Sequence, residues 1–321
     1  MLENNFMLGA ILGGVVLAAG FVGAVGLFEA FVERLSRRNN FEFGQARMWG
    51  SFGYAIVALV AGFVFPINPL ALFWIGSALG VLQLCVQLFW HPQRAEAPEP
   101  GQTKPTTPSV ADMVALLKSR KVWAVIVFVL LSWTFYTVFD QQKFPDFYVS
   151  MFDTPSHGQN AYGILNSVQV FLEAAMMGVV PLIMRRIDVR NTLLLGATVM
   201  FVRIFGCGML HGPVAISLVK MLHALEVPLF VLPIFRYFTL HFNPALSATL
   251  YLVGFNLASQ LGNVVLSAPL GTLRDQIGYQ PTFLVIAGVV LVSLLWVFFV
   301  LKRDHQDVEG DPFVPAPAKV A

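Results

Sequence analysis

The sequence predicts an all-α membrane protein, a bundle of long helices that crosses a bilayer many times, and three observations carry that expectation. Of 321 residues 57% are hydrophobic and only 12% are charged, with a mean hydropathy of +0.71; a soluble domain carries about 25% charge. The apolar residues come in long runs, and a helix needs about 20 of them to cross a hydrocarbon core of ~30 Å. Nine segments are that long: 7–33, 43–66, 70–90, 122–149, 159–184, 191–210, 213–240, 248–273 and 281–301. The basic residues, finally, are sorted between alternate connections of these segments, as cytoplasmic retention of Lys and Arg requires.

Each segment has its own justification. The first is uncharged from Phe6 to Phe28, then meets Glu29 near its end. The second carries Arg47 one turn in and Tyr54 two turns further along the same face, while Gly9, Gly13, Gly50 and Gly53 suit close helix approach. The third, "PLALFWIGSALGVLQLCVQLFW", has no charge. "HPQRAEAPEPGQTKPTTPSVADMVALLKSRK" follows, with five prolines in a polar stretch that reads as a flexible linker and "VADMVALLKSR" as a short interfacial helix. The fourth segment, "VWAVIVFVLLSWTFYTVF", runs into Asp140. The fifth holds Glu173, the sixth Arg203, and the seventh Lys220, His223 and Glu226. Cys85 and Cys207 both lie in apolar spans, so they read as buried filler and imply no disulfide framework.

Fifteen basic residues fall on one set of connections: Arg34, Arg37 and Arg38; Arg94, Lys104, Lys118, Arg120 and Lys121; Arg185, Arg186 and Arg190; Arg236; Lys302, Arg303 and Lys319. Lys143 and Arg274 stand on the other. That bias places the C-terminus in the cytoplasm, and nine crossings then place Met1 outside. "MLENNF" has no basic residue and no cleavage site follows, so an odd count with an exterior start points to a chain whose beginning is missing. The organisation expected is residues 1–90 as a partial N-terminal bundle of three helices, 91–121 as a cytoplasmic linker, 122–305 as a six-helix bundle and 306–321 as a cytoplasmic tail. Many transporters consist of two six-helix halves around a midplane site, and three plus six is such a protein without three helices.

Charges inside a bilayer cost about 3 kcal/mol each at the centre of a lone helix, so they face cavities or pair with one another. On an α-helix the spacing of Lys220, His223 and Glu226 turns each by about 60° from the last and keeps all three within one arc. Either they form an ion-paired cluster that holds helices together, or with Asp140, Arg203 and Glu173 they form a proton relay, since an apolar setting favours the protonated form of a Glu. Glu29 reads either as a solvated helix end or as a site residue, and Arg47 as a snorkelling flank or as a fork beside Tyr54 that suits sugar hydroxyls and a sugar face. The chain has no HExxH or GxSxG and its six His are scattered, which leaves an intramembrane hydrolase without a nucleophile or metal motif. A net charge of +2 gives no reason to expect nucleic acid as a partner.

"SRRNNFEFGQARMWGSFGYA", "FYTVFDQQ", "KMLHALEVP" and "LSATLYLVGF" resemble the oligosaccharide:proton symporters of the major facilitator superfamily, the group of lactose, raffinose and sucrose permeases. The resemblance runs from about residue 5 to the tail. It implies a major facilitator type bundle with nine of twelve transmembrane helices, beginning near the fourth. It also implies a monomeric, multi-pass carrier in the lipid of a bacterial cytoplasmic (inner) membrane, not an enzyme, with a disaccharide and a proton as partners and no cofactor or metal. Glu29 and Arg47 match the acid and arginine that bind sugar in such permeases, and Tyr54 the aromatic that stacks on the ring. Asp140, Arg203, Lys220, His223 and Glu226 match the coupling residues: Glu226 as proton carrier, Arg203 as its charge modulator, Asp140 paired to Lys220, and His223 linking the sugar and proton sites. Tyr136 and Gln141 lie beside them.

Departures from the lactose branch narrow the resemblance. Thr137 and Ser259 stand where that branch has an intramembrane Asp and Lys, so the pair is lost as a unit. Val170 stands where it has a Glu required for sugar, with Glu173 three residues on, on nearly the same face. "NSVQVFLEA" and Tyr54 look most like the sucrose permease branch, which makes sucrose the first expected substrate and raffinose or another galactoside the second. A chain lacking half a bundle leaves a further expectation open, that of a fragment that does not transport.

Overall fold

The computed structural model describes residues 12–16, 20, 23–38, 41, 43–64, 68–89, 118–242 and 250–304, and among them every regular element is a helix. We number these α1 (Gly23–Arg38), α2 (Phe43–Val64), α3 (Pro69–Phe89), α4 (Arg120–Val149), α5 (Pro155–Ile187), α6 (Val189–Met209), α7 (Pro213–His241), α8 (Tyr251–Leu257 continuing through Ala258–Ile277) and α9 (Tyr279–Val300). Six of them, α3 to α7 and α9, are long and apolar enough to cross a membrane on length and composition alone. The first, second and eighth expected spans are helical where described. The start of the first lies outside the described residues, α2 carries Gln45 and Arg47, and α8 carries Ser259, Gln260, Asn263 and Ser267. A helix that presents a polar stripe to a cavity need not be apolar all round. The expected linker, interfacial helix and tail lie almost entirely outside the described residues.

Tight junctions join the later helices. One residue, Asp188, separates α5 from α6 with φ 72°, and Gly278 separates α8 from α9 with φ 87°. A positive φ is easy for glycine and unusual for aspartate. The start of α6 is anchored from the far end of the chain: the Asp304 carboxylate accepts the Val189 and Arg190 backbone N–H groups at 2.7 and 3.3 Å, and the Arg190 guanidinium bonds the Phe298 carbonyl. A carboxylate at a helix N-terminus satisfies free N–H groups and opposes the helix dipole. Close packing completes the group. A Cβ on Gly196 of α6 would lie 2.7 Å from the Leu229 carbonyl oxygen of α7. Phe128, Phe139, Phe144, Phe230, Phe238 and Phe283 are fully buried between α4, α7 and α9.

α2 packs along α5, with Met48 facing Gly178 and the Phe52 and Phe171 rings edge to face at 5.3 Å. α1 meets the start of α8, whereas α3 lies at the periphery. Cys207 is buried as expected, but Cys85 is exposed, because α3 presents nearly all of its surface outward. α4 is not a uniform α-helix. Leu130–Thr134 and Val138–Lys143 are π-helical turns, as is Tyr251–Leu257 at the head of α8. Hydroxyls bonding back to carbonyls accompany the first two: Ser132 to Phe128 at 2.5 Å, Thr134 to Val129 at 3.5 Å and Thr137 to Trp133 at 2.7 Å. Such back-bonding competes with the backbone ladder, and π-turns cluster at functional sites.

Candidate functional site

Five ionisable side chains from three helices converge in the core. Arg203 of α6 donates Nε to Glu226 Oε2 at 2.5 Å, Nη2 to Glu226 Oε1 at 3.3 Å and Nη1 to Asp140 Oδ1 at 2.8 Å. Lys220 Nζ donates to the same Asp140 oxygen at 2.6 Å. His223 lies between the two acids, with Nε2 3.9 Å from Asp140 and Nδ1 3.6 Å from Glu226. Tyr136 stacks on the His223 ring at 5.4 Å, its hydroxyl 3.3 Å from Nε2. Arg203, Lys220 and Glu226 are wholly excluded from solvent. Burial of this kind is sustained only where charges neutralise one another, and removing one member leaves an uncompensated charge.

Local structure explains the convergence. Asp140 sits in the second π-turn of α4. Lys220, His223 and Glu226 do not belong to one unbroken α-helix: α7 tightens at Met221–Leu222, where the N–H groups of Leu222, Ala224 and Leu225 bond carbonyls three residues back. Residues three apart eclipse in that geometry, so the three groups line up more closely than the 60° steps of an α-helix allow. Aromatic faces pack the cations, with Phe139 4.9 Å from the Arg203 guanidinium and Phe144 4.9 Å from Lys220 Nζ.

A cavity of about 940 Å³ opens beside this network, within the range of small-molecule sites, ~300–1,000 Å³. Glu29, Arg47, Tyr54, Gln141, Glu173 and His223 line it, and so do Tyr136 and Asp140; Arg203, Lys220 and Glu226 lie behind that wall. Arg47 is ion-paired to Glu29 rather than extended to a membrane surface, which separates it from a snorkelling residue. Val170 and Glu173 both face the space, one turn apart on α5. Thr137 and Ser259 are buried and neutral. Trp133, Tyr162, Asn166 and Gln169 also line the cavity, and sequence reasoning passed over them. Gln169 donates Nε2 to Glu173 Oε2 at 3.2 Å. No group of three His, Cys, Asp or Glu suited to a metal occurs among the described residues.

The geometry sets an acid and guanidinium pair and several aromatic faces around one cavity of mixed polar and apolar lining, with a neutralised charge network at its wall. Residues 1–310 match the family model of the LacY proton/sugar symporter. The chain belongs to that family. This symporter is therefore an all-α, major facilitator type membrane protein that moves a sugar with a proton, and it is a transporter rather than an enzyme. It is 40% identical over 318 residues to the sucrose permease of Escherichia coli, covering 98% of the symporter and 75% of that relative. It is 34% identical to the raffinose permease of Escherichia coli over 97% of its length and 75% of the relative's. It is 36% identical to the lactose permease of Klebsiella oxytoca over 94% and 73%.

Proposed function

We propose that the symporter imports a disaccharide with one proton across a bacterial cytoplasmic membrane, with sucrose as the first substrate. The observation that carries this reading is the contact of one cavity, lined by both polar and apolar side chains, with one buried charge network through a shared wall, Tyr136, Asp140 and His223. Identity to a sucrose permease above that to raffinose and lactose permeases favours sucrose.

In this reading Glu29, Arg47, Gln141, Glu173 and His223 bond sugar hydroxyls while Tyr54 stacks on a ring face. Glu226 carries the proton. Charged, it is held by Arg203; protonated, it leaves Arg203 to Asp140, which Lys220 already engages. His223 and Tyr136 face both the network and the cavity, so sugar binding there changes what the proton site experiences. Residues 1–90 and 122–305 act as two groups that rock about the site, joined by a cytoplasmic linker at 91–121. The fifteen basic residues on one set of connections support a cytoplasmic C-terminus.

Uptake of labelled sucrose and, separately, labelled raffinose by cells making the protein tests the reading. Saturable sucrose accumulation that an uncoupler abolishes is expected. Raffinose accumulation without sucrose accumulation would move the substrate to a galactoside, and uncoupler-insensitive uptake would remove the proton.

A further inference from the structure

Glu29 is held from two sides. Arg47 of α2 pairs with Oε1, and the Tyr251 hydroxyl of α8 donates to Oε2 at 2.7 Å, joining residues 222 apart in the chain. The Tyr251 ring needs no hydroxyl to stay in place: it is 1% exposed, with the Phe235 ring stacked at 3.6 Å and Phe255 at 5.0 Å. Tyr251 also opens the π-helical turn Tyr251–Leu257, the part of α8 that α1 touches. α1 runs from there into Arg34, Arg37 and Arg38, and α8 begins after the connection that follows Arg236, so the bond lies toward the end of the cavity assigned above to the cytoplasm.

We propose that Tyr251 is a positioning residue for Glu29 and that its hydrogen bond is an inner latch between the two helix groups. The bond exists only while α1 and the head of α8 are together. Rocking the groups apart at the cytoplasmic side breaks it and frees Oε2, so the acid that grips the sugar loses one of its two anchors as the cavity opens inward. Sugar is then held more tightly with the latch closed and more weakly with it open. By linkage, sugar bound at Glu29 and Arg47 favours the closed latch by the same factor. The inference rests on the reading of Glu29 as a sugar-binding acid.

The test uses the full chain with Cys85→Ser and Cys207→Ser and a probe cysteine, Val32→Cys, at the cavity wall beyond Glu29. Inside-out vesicles are labelled with a membrane-impermeant maleimide. Tyr251→Phe keeps the ring and removes the donor; labelling is expected to quicken, and sucrose to bind more weakly, each by about tenfold, the scale of a hydrogen bond to a charged group. Glu29→Ala removes the acceptor instead and gives the same rise in labelling, and the double variant gives no more than either single one. Labelling within about twofold of the parent in both single variants, or additive effects in the double variant, overturns the latch. If sucrose fails to slow labelling of the parent, the sugar assignment fails, while the comparison of labelling rates still decides the latch.

Discussion

Both carboxylate oxygens of Glu226 are taken by Arg203, and no solvent reaches either side chain. Glu226→Gln keeps an oxygen for the guanidinium but cannot lose or gain the proton that changes its charge. The variant is expected to bind sugar and exchange it across the membrane while failing at uphill uptake and at efflux down a gradient. Counterflow and active uptake in one vesicle preparation measure both; retained accumulation removes Glu226 as carrier, and joint loss of binding and exchange makes it structural. On α5, Glu173→Gln is expected to abolish sugar binding while Val170→Ala, which shortens an apolar wall, is mild; sugar protection of a nearby engineered cysteine decides, and equal effects sink the assignment. The ionisable members of the site stand out in the sequence because a charge in a bilayer needs a reason. Trp133, Tyr162, Asn166, Gln169 and Tyr251 do not, because aromatic and amide side chains in a span are equally at home in packing, and which of them faces the cavity depends on the rotation of each helix.

Helix positions follow from runs of apolar residues, so α4 to α9 fall within a few residues of where the sequence puts them. What the runs hide is departure from the α-helix. The π-turns of α4 and the tightened turn at Met221–Leu222 depend on hydroxyls and on neighbours met only after folding, and they aim Asp140 and align Lys220, His223 and Glu226. Close helix contacts are likewise invisible until partners are known. Gly196 is one: an added methyl meets the Leu229 backbone at 2.7 and 3.0 Å, and backbone cannot step aside as a flexible side chain does. Gly196→Ala is expected to destabilise the α6–α7 pair by about 1–3 kcal/mol, as overpacking does. Gly163 of α5 has open space at the same position, so Gly163→Ala gains only the helix preference of alanine, about 0.5–1 kcal/mol. Apparent unfolding temperatures in one detergent compare the two; a similar shift in both would mean that the α6–α7 contact does not resist the methyl.

For the molecule as a whole, the proposed proton site ties the voltage response of transport to the charge count of the network. In the proposed reading Asp140 and Glu226 balance Arg203 and Lys220 when His223 is neutral, so this network is uncharged before a proton arrives and carries one positive charge after. Sugar is neutral, and each inward step of the loaded carrier therefore moves one charge, worth about 2.3 kcal/mol at 100 mV. That energy corresponds to an accumulation of at most about fifty-fold for one proton per sugar, and its square for two. A potassium diffusion potential set with valinomycin, interior negative and without a pH difference, is expected to drive sucrose into vesicles toward the fifty-fold limit and not beyond it. Glu226→Gln should leave the sugar at its outside concentration under the same potential, because its core carries the same positive charge loaded and empty, so the field favours neither direction over a full cycle. Accumulation that ignores the potential in the parent would mean that no net charge crosses with the sugar over a full cycle. A counter-charge would then have to cross with the proton, and a lone proton at the network of Asp140, Arg203, Lys220 and Glu226 would not be what couples sugar to the membrane field.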